Sequence, residues 1–392
     1  MNDYLMDTYA RLPVSLVRGD GAWIYDEQGK RYLDTVTGIG VCGLGHAHPE
    51  IAEAMAEQAR TLVHAGNVAR MPLQERLAER LCRITGMERA FFCNSGAEAN
   101  ECALKIARRV GHEHDVESPE VVVAEGSFHG RTLAMLSASG SRKVQAGFEP
   151  LVQGFVRVPY GDAAALESVA RHSPSVVAVM LEPIQGEGGV VSPPEGYLRK
   201  VREICDANGW LLILDEVQTG LCKTGRWYAC QHDDVLPDVL TTAKALGNGL
   251  PIGACLARGE AATVLKPGKH GSTFGGNPLA CRTALMVLDI MERDRLYERA
   301  QSVGESLLGR LRERLAGNDR VVAVRGRGLM LGIELDAPAG ELKHAALKRG
   351  VLLNVTREKV IRLLPPLTIA EDELDLLVDV LGEILDAFRE AA

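Results

Sequence analysis

Leu211-Leu212-Ile213-Leu214-Asp215 and, further on, Thr241-Thr242-Ala243-Lys244-Ala245-Leu246-Gly247-Asn248-Gly249 are the two stretches from which this chain is read. The first is a short apolar run closing on a carboxylate, the pattern of a strand buried on both faces. The second sets a single lysine among small residues and carries no amphipathic stripe. A lysine that must act as a nucleophile needs that setting, because a tight, partly desolvated pocket lowers its pKa. Taken singly, Lys244 also reads as a loop lysine, and Asp215 as a helix cap or loop anchor. Taken together, they suit an aldehyde cofactor held as a Schiff base with its pyridine nitrogen paired to an aspartate, which is the chemistry of pyridoxal phosphate.

Around these stretches, short runs rich in Val, Ile, Leu or Phe at 90–93, 121–124, 155–158, 176–182, 210–215 and 253–257 alternate with helical patterns. That alternation predicts βαβ units and an α/β fold with a mostly parallel sheet. In such sheets function gathers at the carboxyl ends of strands, where Asp215, Glu182 and Asn94 all stand. Earlier in the chain, Ala22-Trp23-Ile24-Tyr25 and Lys30-Arg31-Tyr32-Leu33 flank the turn Asp26-Glu27-Gln28-Gly29 and predict a hairpin. Helices are expected after His48-Pro49 and from about Pro72 to Ile84. Beyond Gly275-Gly276, Asn277 suits an N-cap and Pro278 a first helical residue, predicting one long helix to about Leu315. Gly326 to Glu334 reads as a strand of a smaller α+β unit. The expected division is an N-terminal segment 1–60 contributing to a small domain, a large cofactor-binding domain 61–276, and the rest of the small domain at 277–392.

Bulk properties narrow the class. The 392 residues suit two or three structural units, and 46% hydrophobic with 24% charged residues is ordinary for a globular enzyme. A net charge of −8 provides no basic field for nucleic acid or anionic lipid. The start, Met1 to Asp7, is acidic where a secretory signal needs positive charge, and no apolar run approaches the ~20 residues of a membrane span. A cytoplasmic protein is expected. Nine cysteines, scattered and never spaced Cys-x-x-Cys, read as reduced thiols. His46-Ala47-His48 and His112-Glu113-His114 lack a third ligand at helical spacing, so no metal is assigned.

Two further motifs carry cofactor chemistry. Cys93-Asn94-Ser95-Gly96-Ala97-Glu98 follows a strand and opens a helix whose buried stripe is Ala99, Cys102, Ala103, Ile106, Ala107 and Val110. Its N-terminus reads either as a plain cap or as a phosphate site, with Gly96 allowing close approach of the backbone. Phe128, in a glycine-flanked loop beyond the run 121–124, either packs or stacks on a planar ring. Arg131 offers a bidentate fork for a carboxylate, or a surface ion pair.

Six motifs in order then carry a family resemblance: Asn94-Ser95-Gly96-Ala97-Glu98-Ala99-Asn100-Glu101, Phe128-His129-Gly130-Arg131-Thr132, Glu182-Pro183-Ile184-Gln185-Gly186-Glu187-Gly188-Gly189, Leu214-Asp215-Glu216-Val217-Gln218-Thr219-Gly220, Thr242-Ala243-Lys244-Ala245-Leu246-Gly247 and His270-Gly271-Ser272-Thr273-Phe274-Gly275-Gly276-Asn277-Pro278. Spanning essentially the whole chain, they resemble the class III, ornithine-type pyridoxal-phosphate aminotransferases. Gly38-Ile39-Gly40-Val41, Leu44-Gly45-His46-Ala47-His48-Pro49 and the compact length lean toward members that act on N2-acetyl-L-ornithine.

The resemblance implies a fold-type-I aminotransferase, a large α/β domain plus a small α+β domain, and a homodimer with active sites at its interface. It implies δ-amino transfer from N2-acetyl-L-ornithine to 2-oxoglutarate, with succinylornithine, ornithine, 4-aminobutyrate, acetyl-lysine or succinyldiaminopimelate as alternative substrates. Lys244 would carry pyridoxal 5'-phosphate and shuttle a proton, and Asp215 would hold the pyridine nitrogen protonated. Gln218 would reach the ring hydroxyl, with Glu216 and Val217 beside it in the cofactor-binding segment. Phe128 would stack on the ring. Ser95, Gly96 and Ala97 would bind the phosphate, joined by Thr273 from the neighbouring subunit, with Ser272 near the substrate. Arg131 would take a substrate carboxylate, while Glu187 and Arg362 would form a switchable pair.

Overall fold

Each of the six apolar runs becomes a strand, and the computed structural model, which describes residues 4–390, adds a seventh between two of them. The sheet order is Arg89–Cys93, Gly253–Ala257, Val239–Thr242, Leu211–Asp215, Val176–Leu181, Glu120–Ala124, Phe155–Val158. Only Gly253–Ala257 runs against its neighbours; the other pairs are parallel. Every residue of Leu211–Asp215 and of Val176–Leu181 is buried, as continuous apolar runs covered on both faces must be. The additional strand, Val239–Thr242, begins the stretch that holds Lys244 and delivers it to the carboxyl edge of the sheet. Its two threonines hide it from an apolar-run reading.

The helix Gly96–Glu113 buries the stripe expected of it, together with Asn100 and Leu104. Two other sheets lie outside the large one. Leu16–Asp20, Trp23–Asp26 and Arg31–Asp34 form a meander joined in parallel by Val351–Leu352, so early and late segments of the chain share a sheet. Val321–Arg327, Met330–Leu335, Val360–Leu363 and Asn354–Thr356 form an antiparallel sheet.

Two expectations are corrected. The single helix from Pro278 to Leu315 is two, Pro278–Arg293 and Leu296–Arg314. Arg295 between them has φ +49, which no right-handed helix continues through. The single strand from Gly326 to Glu334 is a hairpin whose two strands turn at Gly328 and Leu329; glycine takes φ +56 there at little cost.

Lys223, in the loop following the Asp215 strand, ties the large sheet to these later elements. Its side chain is fully buried, and its Nζ donates to Pro365 O at 2.7 Å, while its own carbonyl accepts from Leu329 N at 2.9 Å. Burial lowers its pKa to about 7. The unfolded lysine titrates near ~10.4, so between these values the unfolded chain binds more protons and native stability rises with pH. Below about pH 7 both states carry the proton, and the full cost of the buried charge remains. The unfolding free energy of wild type minus that of Lys223→Met, from urea titrations at pH 7, 8 and 9, is therefore expected to climb by up to ~1.4 kcal/mol per pH unit. A difference that stays flat across this range removes Lys223 as the titrating group.

Candidate active site

At the carboxyl edge of the large sheet, the loops after Arg89–Cys93, Glu120–Ala124, Val176–Leu181, Leu211–Asp215 and Val239–Thr242 enclose a cavity of about 480 Å³. It brings together Ser95, Gly96, Ala97, Phe128, Arg131, Glu187, Asp215, Val217, Gln218 and Lys244. These residues span much of the chain, and parallel topology is what converges them.

One wall is the N-terminus of Gly96–Glu113. Ser95 caps it, accepting from Glu98 N at 3.2 Å and donating to Glu98 Oε2 at 3.0 Å, while Glu98 also accepts from Asn94 N at 2.8 Å. The serine is a cap, and the cap leaves the Gly96 and Ala97 N–H groups without partners among the described residues. A Cβ on Gly96 would lie 2.7 Å from Val217 Cγ1, so only glycine lets the helix start this close to the Asp215 loop. Free N–H groups at the positive end of an 18-residue helix form an anion cradle.

The floor is Asp215, buried with two donors on one oxygen. His129 Nδ1 donates to Asp215 Oδ2 at 2.8 Å and Asn100 Nδ2 to the same atom at 2.7 Å; Val217 N donates to Oδ1 at 3.1 Å. Asn100 is itself set by Thr241 Oγ1 at 2.7 Å and reaches His129 O at 2.8 Å. Burial opposes a charge on His129, but the hydrogen bond to Asp215 and the charges of Asp215 and Glu182 outweigh it and raise its pKa. Glu182 accepts from Phe128 N at 2.8 Å and Gly186 N at 3.0 Å, fixing the loops that carry Phe128 and Glu187. Burial pushes its pKa up. Asn100 and His129 carry no expectation from sequence, and Glu182 is expected only at a strand end. The available signal was a polar side chain on the buried stripe of a helix.

Lys244 opens a single 3-10 turn at φ +45, a left-handed conformation that a non-glycine residue rarely adopts. Its amine has no hydrogen-bond or ion-pair partner among the described residues. Burial lowers its pKa, and the positive charge of Arg362 lowers it further. Arg362 is wholly buried: Nη1 donates to Glu187 Oε1 at 2.6 Å and to Gln218 Oε1 at 3.1 Å. With its oxygen so engaged, Gln218 keeps its amide N–H groups for the cavity. At the rim, the exposed Arg131 guanidinium lies 5.6 Å from the Phe128 ring centroid and has no carboxylate partner among the described residues.

Four expected residues do not line this cavity: Arg362, bonded to the lining residues Glu187 and Gln218, and Glu216, Ser272 and Thr273. Glu216 is a correction. Its carboxylate accepts from Ala229 N at 2.9 Å, Cys230 N at 2.7 Å and the Thr219 hydroxyl, because successive residues at a strand end point to opposite sides. Ser272 Oγ accepts from Gly275 N at 3.0 Å and lies 3.4 Å from Asn94 Nδ2 at the rim. Thr273 is exposed, on the outer surface.

A phosphate cradle, a flanking aromatic, a buried carboxylate and a neutralisable lysine meet the needs of pyridoxal phosphate, and the residues fit that group. Architecture and site are those of a fold-type-I pyridoxal-phosphate aminotransferase. The chain belongs to the class-III aminotransferases, whose family model, "Aminotransferase class-III", matches residues 4–385. It is 54% identical over 388 residues to the acetylornithine aminotransferase of Nitrosomonas europaea, covering 99% of both chains. Among solved structures, the ornithine aminotransferase of Toxoplasma gondii superposes with a TM-score of 0.96 at 36% identity, covering 99% of this chain and 94% of that one. The acetylornithine aminotransferase of Elizabethkingia anophelis does so at 0.88 and 35%, covering 98% and 96%.

Asn100→Ala and His129→Ala each remove one donor from Asp215. Each is expected to weaken pyridoxal phosphate binding by about 1.5–3 kcal/mol, the scale of a hydrogen bond to a charged group. The double variant should depart from additivity, since both donors serve one oxygen. Cofactor titration followed by absorbance checks this, and affinities within twofold of wild type would free Asp215 from dependence on either residue.

Proposed function

We propose that the protein transfers the δ-amino group of N2-acetyl-L-ornithine to 2-oxoglutarate, giving N-acetyl-L-glutamate 5-semialdehyde and L-glutamate, a step of arginine biosynthesis. The observation that carries this reading is the Glu187–Arg362 pair, in which Glu187 lines the cavity and the buried Arg362 stands directly behind it. The names of the acetylornithine aminotransferases that the chain resembles support the choice of acyl group.

Pyridoxal phosphate, held by the Gly96–Ala97 N–H groups, Asp215, Gln218, Phe128 and Lys244, supplies the electron sink for exchanging an amine with a carbonyl oxygen. Arg131 binds the α-carboxylate of acetylornithine, far from the reacting δ-amine. No charge then arrives near Arg362, and Glu187 keeps it neutralised. With 2-oxoglutarate, Arg131 takes the distal carboxylate, and the carboxylate beside the keto carbon takes Arg362 as Glu187 withdraws. Glu187 has room to move, since its side chain is 32% exposed whereas that of Arg362 is 0% exposed. Lys244 Nζ, its pKa lowered by burial, takes the proton from the amine-bearing carbon of the substrate. Asp215 holds the proton on the ring nitrogen.

A homodimer is part of the proposal. Thr273 faces outward in a neighbourhood of exposed apolar side chains, Phe274 at 60% and Val68 at 94%, a surface suited to a second copy whose cofactor phosphate Thr273 and whose substrate Ser272 would approach. The three-sheet layout supports the division at 1–60, 61–276 and 277–392. No helix among the described residues is long and apolar enough to cross a membrane; a cytoplasmic location is part of the proposal.

In single-turnover spectra, acetylornithine should react faster than succinylornithine, ornithine, 4-aminobutyrate or acetyl-lysine; a faster rate on any of these reassigns the substrate. Glu187→Ala should slow the acetylornithine half-reaction and spare or speed the glutamate one, shifting relative preference by about 1–3 kcal/mol. Equal slowing of both leaves Glu187 a structural residue.

Lys244→Ala and Thr273→Ala homodimers should both be impaired. Hybrid dimers of the two should recover activity at one intact site, and verified hybrids without recovery would place each site within one chain.

A further inference from the structure

Arg362 is held by more than the residue that switches it. Strand Asn354–Thr356 pairs antiparallel with Val360–Leu363, and the register sets Asn354 directly opposite Arg362. Asn354 Oδ1 accepts from Arg362 Nε at 3.1 Å and from Nη2 at 2.8 Å, one oxygen closing the side edge of the guanidinium. Glu187 and Gln218 both act on the opposite nitrogen, Nη1. On the same strand, two residues along and on the same face, Thr356 Oγ1 donates to Glu187 O at 2.7 Å. The strand thus grips the Glu187 backbone, leaves its carboxylate unrestrained, and fixes the arginine from the side away from that carboxylate.

We infer that Asn354 is the positioning residue that keeps Arg362 in place when Glu187 leaves it, so that the α-carboxylate of a dicarboxylate meets a preset fork. The inference rests on the switch described above. A buried guanidinium stripped of its carboxylate has lost its strongest partner, and Gln218 alone contacts only Nη1. With Nε and Nη2 still pinned, Nη1 and the second Nη2 hydrogen remain as a bidentate edge. The chemistry of the anchor also matters. An amide oxygen fixes the guanidinium without cancelling its charge, so the full cation stays available to the substrate. An aspartate at 354 would fix the same edge and neutralise it.

The test measures both half-reactions by single turnover, and binding of glutarate, an unreactive dicarboxylate, to the holoenzyme by calorimetry. Asn354→Ala should weaken glutarate at least 10-fold and raise the apparent KM for 2-oxoglutarate similarly, while the acetylornithine half-reaction stays within about threefold of wild type. Asn354→Asp, which retains the acceptor, should weaken glutarate comparably through charge and guards against poor folding of the alanine variant. Glu187→Ala, run alongside, should show the opposite asymmetry. If Glu187→Ala shows no asymmetry, the switch itself is wrong. If it does, but Asn354→Ala and Asn354→Asp both bind glutarate within twofold of wild type, or slow both half-reactions equally, the role of Asn354 is overturned.

Discussion

Asp215 carries a carboxylate to the floor of the cavity, where it is almost wholly buried, and a buried charge of that kind costs several kcal/mol unless it is answered locally. The answer comes from two donors on one oxygen, Asn100 from the helix Gly96–Glu113 and His129 from the loop after Glu120–Ala124. Those donors cannot satisfy Asp215 without fixing the elements that carry them. Setting Asn100 sets the helix, and with it the N–H groups of Gly96 and Ala97 one turn earlier. Setting His129 sets its neighbour Phe128. The spacing between the helix N-terminus, Phe128 and Asp215 therefore follows from satisfying one buried carboxylate. Thr241, hydrogen-bonded to Asn100, extends the same constraint to the strand that delivers Lys244.

Glu182 shows the alternative way to bury a carboxylate. Among the described residues no cationic side chain is bonded to it, and it accepts from two backbone N–H groups instead. Burial pushes its pKa up, while His129 and the two backbone donors pull it back. Two carboxylates on adjacent strand ends are thus handled differently: Asp215 meets an imidazole and an amide, and Glu182 fastens loops.

How much of this was legible in the chain depends on range. The strands Leu211–Asp215 and Val176–Leu181 were readable because burial on both faces leaves an unbroken apolar run. The stripe of Gly96–Glu113 was readable because it repeats at helical period. Lys244 and Asp215 stood out by their surroundings, and Glu187 and Arg362 entered through the family resemblance. Val239–Thr242 was not readable: two of its four residues are threonines, and its burial comes from neighbours distant in sequence. Glu216 was assigned by adjacency, whereas strand alternation turns its side chain away from Asp215's. The break at Arg295 has no glycine or proline to announce it. Asn354 has no local signal at all, because its importance comes from a strand register that no short window contains.

That register has a further consequence for the lysine. Arg362 lies close enough to lower the pKa of Lys244, and Glu187 works in the opposite direction. While the pair is closed, its two charges act in opposite directions at the amine. Movement of the Glu187 carboxylate toward solvent leaves the pinned arginine cation acting alone, which favours the uncharged amine. An arriving carboxylate on Arg362 then restores the balance that Glu187 had provided. Under the proposed switch, the exchange of one carboxylate for another would let two dissimilar substrates meet a similar field at Lys244, provided that the guanidinium stays where it is. A mobile arginine would carry its charge with it, and the amine would face a different field in each half of the reaction. In the proposed reaction, holding the cation still while its partner changes would allow one base to serve both halves.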